Sequence, residues 1–163
     1  MTSFLGTIER DGTDLPALFI GEKYQLIDTI VPEVSLATTT EVIGHWSELV
    51  DQLNNAIDDS HDWPTLDPSE LGRPINPSTV LCAGSNYRAH NAEKKSSPTS
   101  GKEPEFFIKT GDCVIGPNDE IIHDPLLTKK LDCETELAIV IGKHGRHIPI
   151  NNALDHVFGY TVA

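Results

Sequence analysis

The first sixty residues change from short apolar runs separated by turns to a helical pattern. Apolar runs at 4–8, 15–20 and 24–27 are separated by turn-forming residues such as the Asp11-Gly12 pair, which predicts three short antiparallel strands. Farther along, apolar residues recur at helical spacing within a polar segment: Trp46, Leu49, Val50, Leu53 and Ile57. This spacing predicts one amphipathic helix that packs on the sheet.

A proline-rich segment separates this region from the rest of the chain. Proline interrupts both helices and central strands, and residues 60–79 contain Pro64, Pro68, Pro74 and Pro77 among Asp, Ser and Gly. We therefore predict a small N-terminal domain of a sheet and a helix at 1–59, a linker at 60–79, and a second domain at 80–163.

Short apolar segments beyond the linker predict a second domain that is rich in sheet. A polar run at 93–105 is expected to form a lid or a tolerated insertion. A short helix is expected at 153–158, before an extended end at 159–163. Strands are expected at 80–83, 106–109, 113–115, 120–122 and 131–143. The whole pattern predicts an α+β fold that is mostly β.

The charge of the chain limits its partners. Twelve Lys and Arg against 25 Asp and Glu give a formal net charge of −13, which repels phosphate backbones and anionic lipids. We therefore expect no nucleic acid and no membrane surface as partner. The cysteines have no CxxC spacing, which predicts buried, reduced thiols at Cys82, Cys113 and Cys133. Without an apolar run near the ~20 residues of a membrane span, the expected location is the cytoplasm.

The first candidate for a functional site is a pair of glutamates in the longest predicted strand. The alternation of side chains along a strand places Glu134 and Glu136 on one face. Apolar residues on the other face suggest that both faces are covered, so the carboxylates must share a proton, pair with cations or hold a metal. Oxygen ligands favour Mg²⁺, Mn²⁺ or Ca²⁺ over zinc. In this composition a Glu-x-Glu pair is also expected roughly once by chance, so the spacing alone does not decide.

A histidine and a glutamate three residues apart are the second candidate. On one helical face, Glu93 would fix the tautomer of His90 and raise its basicity, as a general base that activates water requires. The same spacing occurs at His45 and Glu48, so an exposed helical pair is the alternative. Lys109 ends an apolar strand and would bind a substrate carboxylate, pair with the glutamates or extend into solvent.

Five ordered blocks of sequence resemble the fumarylacetoacetate hydrolase family. They are VLCAGSNYRAHNAE at 80–93, EFFIK at 105–109, VIGP at 114–117, LDCETELAIVIG at 131–142, and ALD with GYTVA at 153–155 and 159–163. The resemblance covers 75–163 well, and 1–74 looks like the small N-terminal domain that many bacterial and archaeal members carry. It implies that the second domain is a mixed β-roll.

The resemblance also implies a role for each candidate residue. Glu134 and Glu136 match the Glu-x-Glu pair through which the family, with a later Asp, binds Mg²⁺, Mn²⁺ or Ca²⁺. His90 and Glu93 match a His-x-x-Glu on a lid, with His90 as general base on a water and Glu93 as its orienting partner. Lys109 matches the Lys of a Phe-x-Lys-Pro block and is expected to be catalytic. Three residues of the first block are expected to bind substrate: Asn86, Tyr87 and Arg88.

The chain departs from the family pattern at three places. Thr110 stands where the family block has Pro, and Cys133 stands where Tyr is common; at Cys133 we expect altered packing rather than lost metal binding. In relatives the third metal ligand, a Lys that steadies the substrate and the later strands all follow the GYTVA block. We therefore expect an incomplete β-roll, and either a fragment of a longer enzyme or a half that needs a partner.

The activity implied by the resemblance is that of a metal-dependent hydrolase (EC 3.7.1-like). It would cleave a C–C bond in 2-oxo or 1,3-dicarbonyl acids, such as acylpyruvates or fumarylacetoacetate-like compounds, through a metal-bound enolate. The alternatives are a family isomerase, decarboxylase, hydratase or lyase, or an inactive truncated homologue that only binds a partner. The expected cofactor is Mg²⁺ (or Mn²⁺ or Ca²⁺), the substrate a small oxo-acid, and the intact assembly a homodimer. The missing third ligand puts the activity of the isolated chain in question.

Overall fold

The computed structural model describes residues 2–84, 86–93 and 105–163, and for residues 90, 91 and 93 it describes only the backbone. The chain divides into two compact units. The larger unit comprises Met1–Ile75 and Ile115–Ala163, and the smaller unit comprises Asn76–Val114. Small sheets and helices make up both units, so the predicted α+β fold with more strand than helix is confirmed.

A three-stranded antiparallel sheet begins the larger unit, as the apolar pattern predicted. Its strands are β1 (Ser3–Arg10), β2 (Thr13–Ile20) and β3 (Lys23–Leu26), in the order β1-β2-β3. A two-residue turn joins β1 to β2, and both of its residues have positive φ, 52° at Asp11 and 74° at Gly12. Only Gly and a few polar residues adopt this conformation easily, which is why an Asp-Gly pair forms the turn.

Three helices follow the sheet: α1 (Ile27–Ile30), α2 (Thr39–Gly44) and α3 (Trp46–Asp58). The helix α3 is the predicted amphipathic helix, and it buries Leu49 and Leu53 in the cluster that includes Leu18 and Ile20 of the sheet. Burial of each such side chain contributes about 1.5–3 kcal/mol. The predicted sheet-plus-helix arrangement is therefore the core of this unit.

The proline-rich segment packs against the sheet that precedes it. Isolated bridges pair Leu71 with Ile8 on β1 and Thr65 with Lys23 on β3, so the segment lies along both outer strands. Trp63 is buried in the same cluster as Leu49 and Leu53 of α3. The Ser69 backbone N–H and hydroxyl donate to the Asp67 carboxylate and hold its pKa below the ordinary value. The domain and linker boundaries predicted from the sequence, 1–59, 60–79 and 80–163, stay a prediction.

The described residues of the smaller unit form two paired strands, one short α-helix and a 3₁₀ turn. Strands β4 (Thr79–Gly84) and β5 (Glu105–Thr110) pair antiparallel, and the helix α4 spans Arg88–Glu93. A strand at 113–115 was predicted wrongly, because the chain forms a 3₁₀ turn at Gly111–Cys113 in which the Val114 N–H donates to the Gly111 carbonyl. The turn needs glycine, since a Cβ at Gly111 would lie 1.6 Å from the Pro77 carbonyl oxygen.

The second segment of the larger unit, Ile115–Ala163, contains a hairpin whose first strand is shorter than the sequence predicted. Strand β6 spans Leu137–Ile141 and pairs antiparallel with β7 (Val157–Val162), while Ile150–His156 forms a 3₁₀ helix. The strand predicted at 131–143 is therefore too long, and the strand predicted at 120–122 is wrong. Pairing reaches back only to Glu136, whose backbone bonds Ala163. Without a ladder partner in the described chain, the segments at 120–122 and 131–135 stay irregular.

Burial is concentrated near the N-terminus. Among the described residues, every buried apolar side chain lies between Ile8 and Trp63. Of the large apolar side chains that are exposed, all but Phe4 lie beyond residue 80. The prediction that the strand carrying the glutamates is covered on both faces is wrong, since Leu137, Ile139 and Ile141 are exposed. The prediction of buried cysteines is wrong for Cys113 and Cys133, which lie outside the ladders and are exposed.

Candidate functional site

The two glutamates lie immediately before β6, in the larger unit. The Glu136 N–H donates to the Ala163 carbonyl at 2.8 Å, and the Ala163 N–H donates to the Glu136 carbonyl at 2.9 Å. These two bonds fix the Glu136 backbone at the end of the β6–β7 ladder. Glu134 lies two residues earlier and is exposed, whereas Glu136 is half-buried. Glu134 is therefore open to solvent, and Glu136 remains partly accessible to a cation or a substrate.

The donor chemistry of this pair fits a hard divalent cation. Carboxylate oxygens are the ligands that Mg²⁺, Mn²⁺ and Ca²⁺ take in proteins, and these ions commonly complete their shells with water or substrate. Among the side chains that the structure describes, no group of three or more His, Cys, Asp and Glu residues is arranged to hold a metal ion. Glu134 and Glu136 would thus supply part of a coordination shell.

The His-x-x-Glu motif lies on α4 in the smaller unit. The backbone from Arg88 to Glu93 is helical. His90 and Glu93, three residues apart, therefore both lie in a helix, as the sequence predicted. Their side chains are outside the described part of the chain. A pair with the same spacing lies on the larger unit, where His45 is the N-cap residue that precedes α3: His45 Nδ1 lies 3.1 Å from Glu48 Oε2, and both side chains are exposed.

The remaining candidate residues also belong to the smaller unit. Lys109 lies near the end of β5, opposite Val80 of β4, and is exposed. Asn86 and Tyr87 precede α4, Arg88 is its first residue, and all three are exposed. One compact unit thus carries the candidate base, its partner, the lysine and the substrate-binding residues, whereas the other unit carries the glutamate pair.

A shallow groove of the larger unit is lined by none of the predicted site residues. It has a volume of about 250 Å³ and lies between α2 and the turn after β6. Its lining includes Ile43, Ile75, Ile141, Lys143 and His144. Sequence reasoning missed this groove, because its walls come from three segments that are distant along the chain and carry no shared motif.

Residues 79–163 match the family described as fumarylacetoacetate (FAA) hydrolase C-terminal. The chain belongs to the fumarylacetoacetate hydrolase family. A mitochondrial oxaloacetate tautomerase from Xenopus laevis is 33% identical over 162 residues, which is 96% of this chain and 50% of that protein. The resemblance proposed from the sequence blocks is therefore confirmed.

Solved structures of the fumarylacetoacetate hydrolase family share the fold. A fumarylacetoacetate hydrolase from the psychrophilic Exiguobacterium antarcticum is 30% identical with a TM-score of 0.73, and the match covers 99% of this chain and 55% of that one. A maleylpyruvate hydrolase from Sphingobium sp. SYK-6, solved with manganese(II) and pyruvate, has a TM-score of 0.74 at 22% identity over 97% of this chain and 56% of that one. The chain spans about a third to a half of the length of the curated relatives it matches.

Within the ranges 2–84, 86–93 and 105–163, no helix has both the length and the apolar character that crossing a bilayer requires.

Proposed function

We propose that this chain forms part of a divalent-metal-dependent enzyme that cleaves a C–C bond in 2-oxo or 1,3-dicarbonyl acids by hydrolysis. The observation that carries the proposal is the carboxylate pair of the exposed Glu134 and the half-buried Glu136, placed immediately before β6 within the segment that matches the family. Acylpyruvates and fumarylacetoacetate-like acids are the substrate class, because their adjacent carbonyl and carboxylate oxygens chelate a hard cation.

Each candidate residue has a distinct task in this proposal. Glu134 and Glu136 would hold the cation, with Mg²⁺ as the first choice and Mn²⁺ or Ca²⁺ as alternatives. When bound, such a cation supplies Lewis-acid polarisation of a substrate carbonyl. His90 would take the proton from the attacking water at an imidazole nitrogen, and Glu93 would hold that imidazole in the required tautomer. Lys109 would pair with the substrate carboxylate.

Three exposed residues before and at the start of α4 complete the proposed substrate site: Asn86, Tyr87 and Arg88. A guanidinium, a phenol and an amide can bind the oxygens of an oxo-acid through directed hydrogen bonds. The manganese(II) and pyruvate held by the Sphingobium enzyme support a divalent cation and a 2-oxo acid as ligands.

Tautomerisation of a 2-oxo acid is the second candidate reaction. The Xenopus laevis relative, which matches 96% of this chain, is an oxaloacetate tautomerase. The keto and enol forms differ by the position of one proton, so this reaction needs a group that moves a proton but no attacking water. The same carboxylate pair and His90 would serve it. Product analysis separates the two reactions, because only hydrolysis breaks a carbon–carbon bond.

The first test is cation binding by calorimetry with Mg²⁺ and Mn²⁺, with and without oxalate as an enolate mimic. Glu134→Gln/Glu136→Gln is expected to lose binding, because it removes both ligand charges. Asp58→Asn/Asp59→Asn, which removes two charges from an exposed pair at the end of α3, is expected to bind as the wild type does. Equal binding by both variants would contradict the metal site. A folded wild-type chain that binds neither ion would contradict catalysis by this chain alone.

The second test is turnover of an acylpyruvate and of enol-oxaloacetate by a His90→Ala variant. We expect a loss of about 10²–10⁴-fold in kcat, the usual contribution of a general base. His45→Ala is the matched control, since His45 has the same His-x-x-Glu spacing and is exposed at the N-cap of α3. A similar loss in both variants, or none in His90→Ala, would contradict the assignment of the base.

Assembly and location remain part of the proposal. We expect the intact protein to be a homodimer of the cytoplasm, on the grounds of the family resemblance and of the acidic, CxxC-free sequence. The Xenopus laevis relative is named as a mitochondrial protein. Fractionation of the source cells, with an antibody to this chain, measures the location directly.

A further inference from the structure

The shallow groove beside α2 combines apolar side chains with cationic ones. Ile43, Ile75 and Ile141 line it from three segments of the larger unit, and Lys143 and His144 line it from the turn after β6. Its volume of about 250 Å³ lies just below the usual range of small-molecule pockets, about 300–1,000 Å³. A groove of this size fits a small organic molecule rather than a large cofactor or a polypeptide.

Both sides of the groove are held in place by the fold. On the α2 side, Ile43 is buried. On the other side, the Gly142 N–H donates to the His156 carbonyl at 2.9 Å, and His156 Nδ1 lies 3.1 Å from the Lys143 carbonyl oxygen. The turn that carries Lys143 is therefore tied to the end of the 3₁₀ helix. A groove that exists before a ligand arrives lowers the ordering cost of binding.

The charge on the turn side of the groove is opposite to that of the whole chain. Residues 143–147 contain Lys143, His144, Arg146 and His147 and no acidic residue, whereas the chain has a formal net charge of −13. These four side chains are exposed. On the α2 side, the carboxylate of Glu41 is engaged in the cap at the start of the helix. The turn therefore favours an anion at its end of the groove.

We propose that this groove binds a small aliphatic monocarboxylate. Its carboxylate would accept hydrogen bonds from the Lys143 ammonium and the His144 ring, and its aliphatic chain would lie against Ile43, Ile75 and Ile141. A single negative charge suits the site, because the net charge of −13 repels multiply charged anions more strongly. The groove is lined by none of the residues assigned to the proposed reaction, so the inference does not depend on that reaction.

Gly44 offers a way to fill the groove by mutation. It lines the groove, and among the described residues no heavy atom lies within 4 Å of the place that its Cβ would take. The φ of this glycine is not positive, so a side chain introduces no backbone strain. A leucine at this position is therefore expected to occupy the space of the ligand.

The test is an NMR titration of the full, ¹⁵N-labelled chain with hexanoate, 1-hexanol and acetate. Hexanoate has both the charge and the chain, whereas hexanol lacks the charge and acetate lacks the chain. We expect hexanoate to bind with a Kd on the order of 1 mM and to shift the amide signals of residues 43–44 and 141–144. Hexanol should bind at least about threefold more weakly, and acetate at least about tenfold more weakly.

Two variants, each with a matched control, locate the bound hexanoate. Gly44→Leu should weaken binding at least about tenfold, because the leucine takes the place of the ligand. Ser47→Leu adds the same side chain at an exposed position outside the groove and should bind as the wild type does. Lys143→Gln should weaken hexanoate binding about two- to fivefold and leave hexanol binding unchanged. Lys130→Gln, at an exposed lysine outside the groove, should change neither.

The outcomes either support the inference or overturn it. Hexanoate binding that Gly44→Leu and Lys143→Gln weaken and their controls do not would support it, provided that urea unfolding shows the variants to be folded. If Gly44→Leu does not fold, Lys143→Gln and its control decide alone. No binding, equal binding of hexanoate and hexanol, or equal effects of a variant and its control would overturn the inference. Equal binding of hexanoate and acetate would also overturn it, since the groove would then add nothing to a surface lysine that attracts any anion.

Discussion

At the scale of single residues, Gly72 is a position where the backbone leaves no room for a side chain. A Cβ there would lie 2.6 Å from Thr7 Oγ1 and 2.8 Å from Asp14 Oδ1. Both side chains are already engaged, since the Thr7 hydroxyl donates to the Arg73 carbonyl and Asp14 accepts from Arg73. The close approach lets the segment after Pro68 pack against β1.

We expect Gly72→Ala to lower the free energy of unfolding by about 1–3 kcal/mol, because the added methyl must displace bonded atoms. The control is Gly44→Ala. Among the described residues, no heavy atom lies within 4 Å of the place that a methyl group would take at Gly44, and the φ of this glycine is not positive. Helix propensity should therefore stabilise that variant by up to about 1 kcal/mol. Urea unfolding curves of the two variants measure both effects, and equal changes would contradict the steric account.

At the scale of an element, α2 begins with a reciprocal cap. Thr38 Oγ1 accepts a hydrogen bond from the Glu41 N–H at 3.2 Å, and the Glu41 carboxylate accepts from the Thr38 N–H at 3.2 Å and from the Ala37 N–H at 2.6 Å. These bonds satisfy N–H groups that a helix start otherwise leaves unpaired. A helix of six residues has few internal bonds, so it depends strongly on this cap.

Thr38→Ala should therefore destabilise the chain by about 1 kcal/mol. Thr38→Ser keeps the hydroxyl and should remain close to the wild type. Thermal unfolding followed by circular dichroism compares the two variants; a Ser variant as unstable as the Ala variant would show that the methyl group rather than the cap is responsible.

At the scale of the whole molecule, the buried apolar residues and the exposed apolar residues lie in different parts of the sequence. The buried cluster joins β2, α3 and Trp63, whereas β6 carries exposed apolar residues. Leu53→Ala should cost about 2–5 kcal/mol of unfolding free energy, because it leaves a cavity in the cluster. Ile139→Ala, a change of similar size at an exposed residue of β6, should stay within about 0.5 kcal/mol in the isolated chain. Tryptophan fluorescence during urea unfolding measures the stability of both variants. A large loss of stability in Ile139→Ala would mean that the side chain of Ile139 is covered.

The local pattern determined the elements that depend on neighbouring residues. The Asp11-Gly12 turn, the strands around it and the amphipathic helix at Trp46–Asp58 follow from turn chemistry and from apolar spacing. The ordered blocks also determined the family, because several motifs in a fixed order are far more specific than one spacing. Spacing along the sequence made Glu134 and His90 candidates, the ordered blocks implied their roles, and those roles stay predictions.

The tertiary structure decided what depends on partners distant along the chain. The length of β6 is set by the β7 residues that pair with it, so the apolar run from Leu131 could not show where the strand begins. The proline-rich segment lies along the sheet because Thr65 and Leu71 find bridge partners on β3 and β1. An alternating pattern also fixes which residues share a face but not whether that face is covered, and so the exposure of Leu137, Ile139 and Ile141 was decided only in three dimensions.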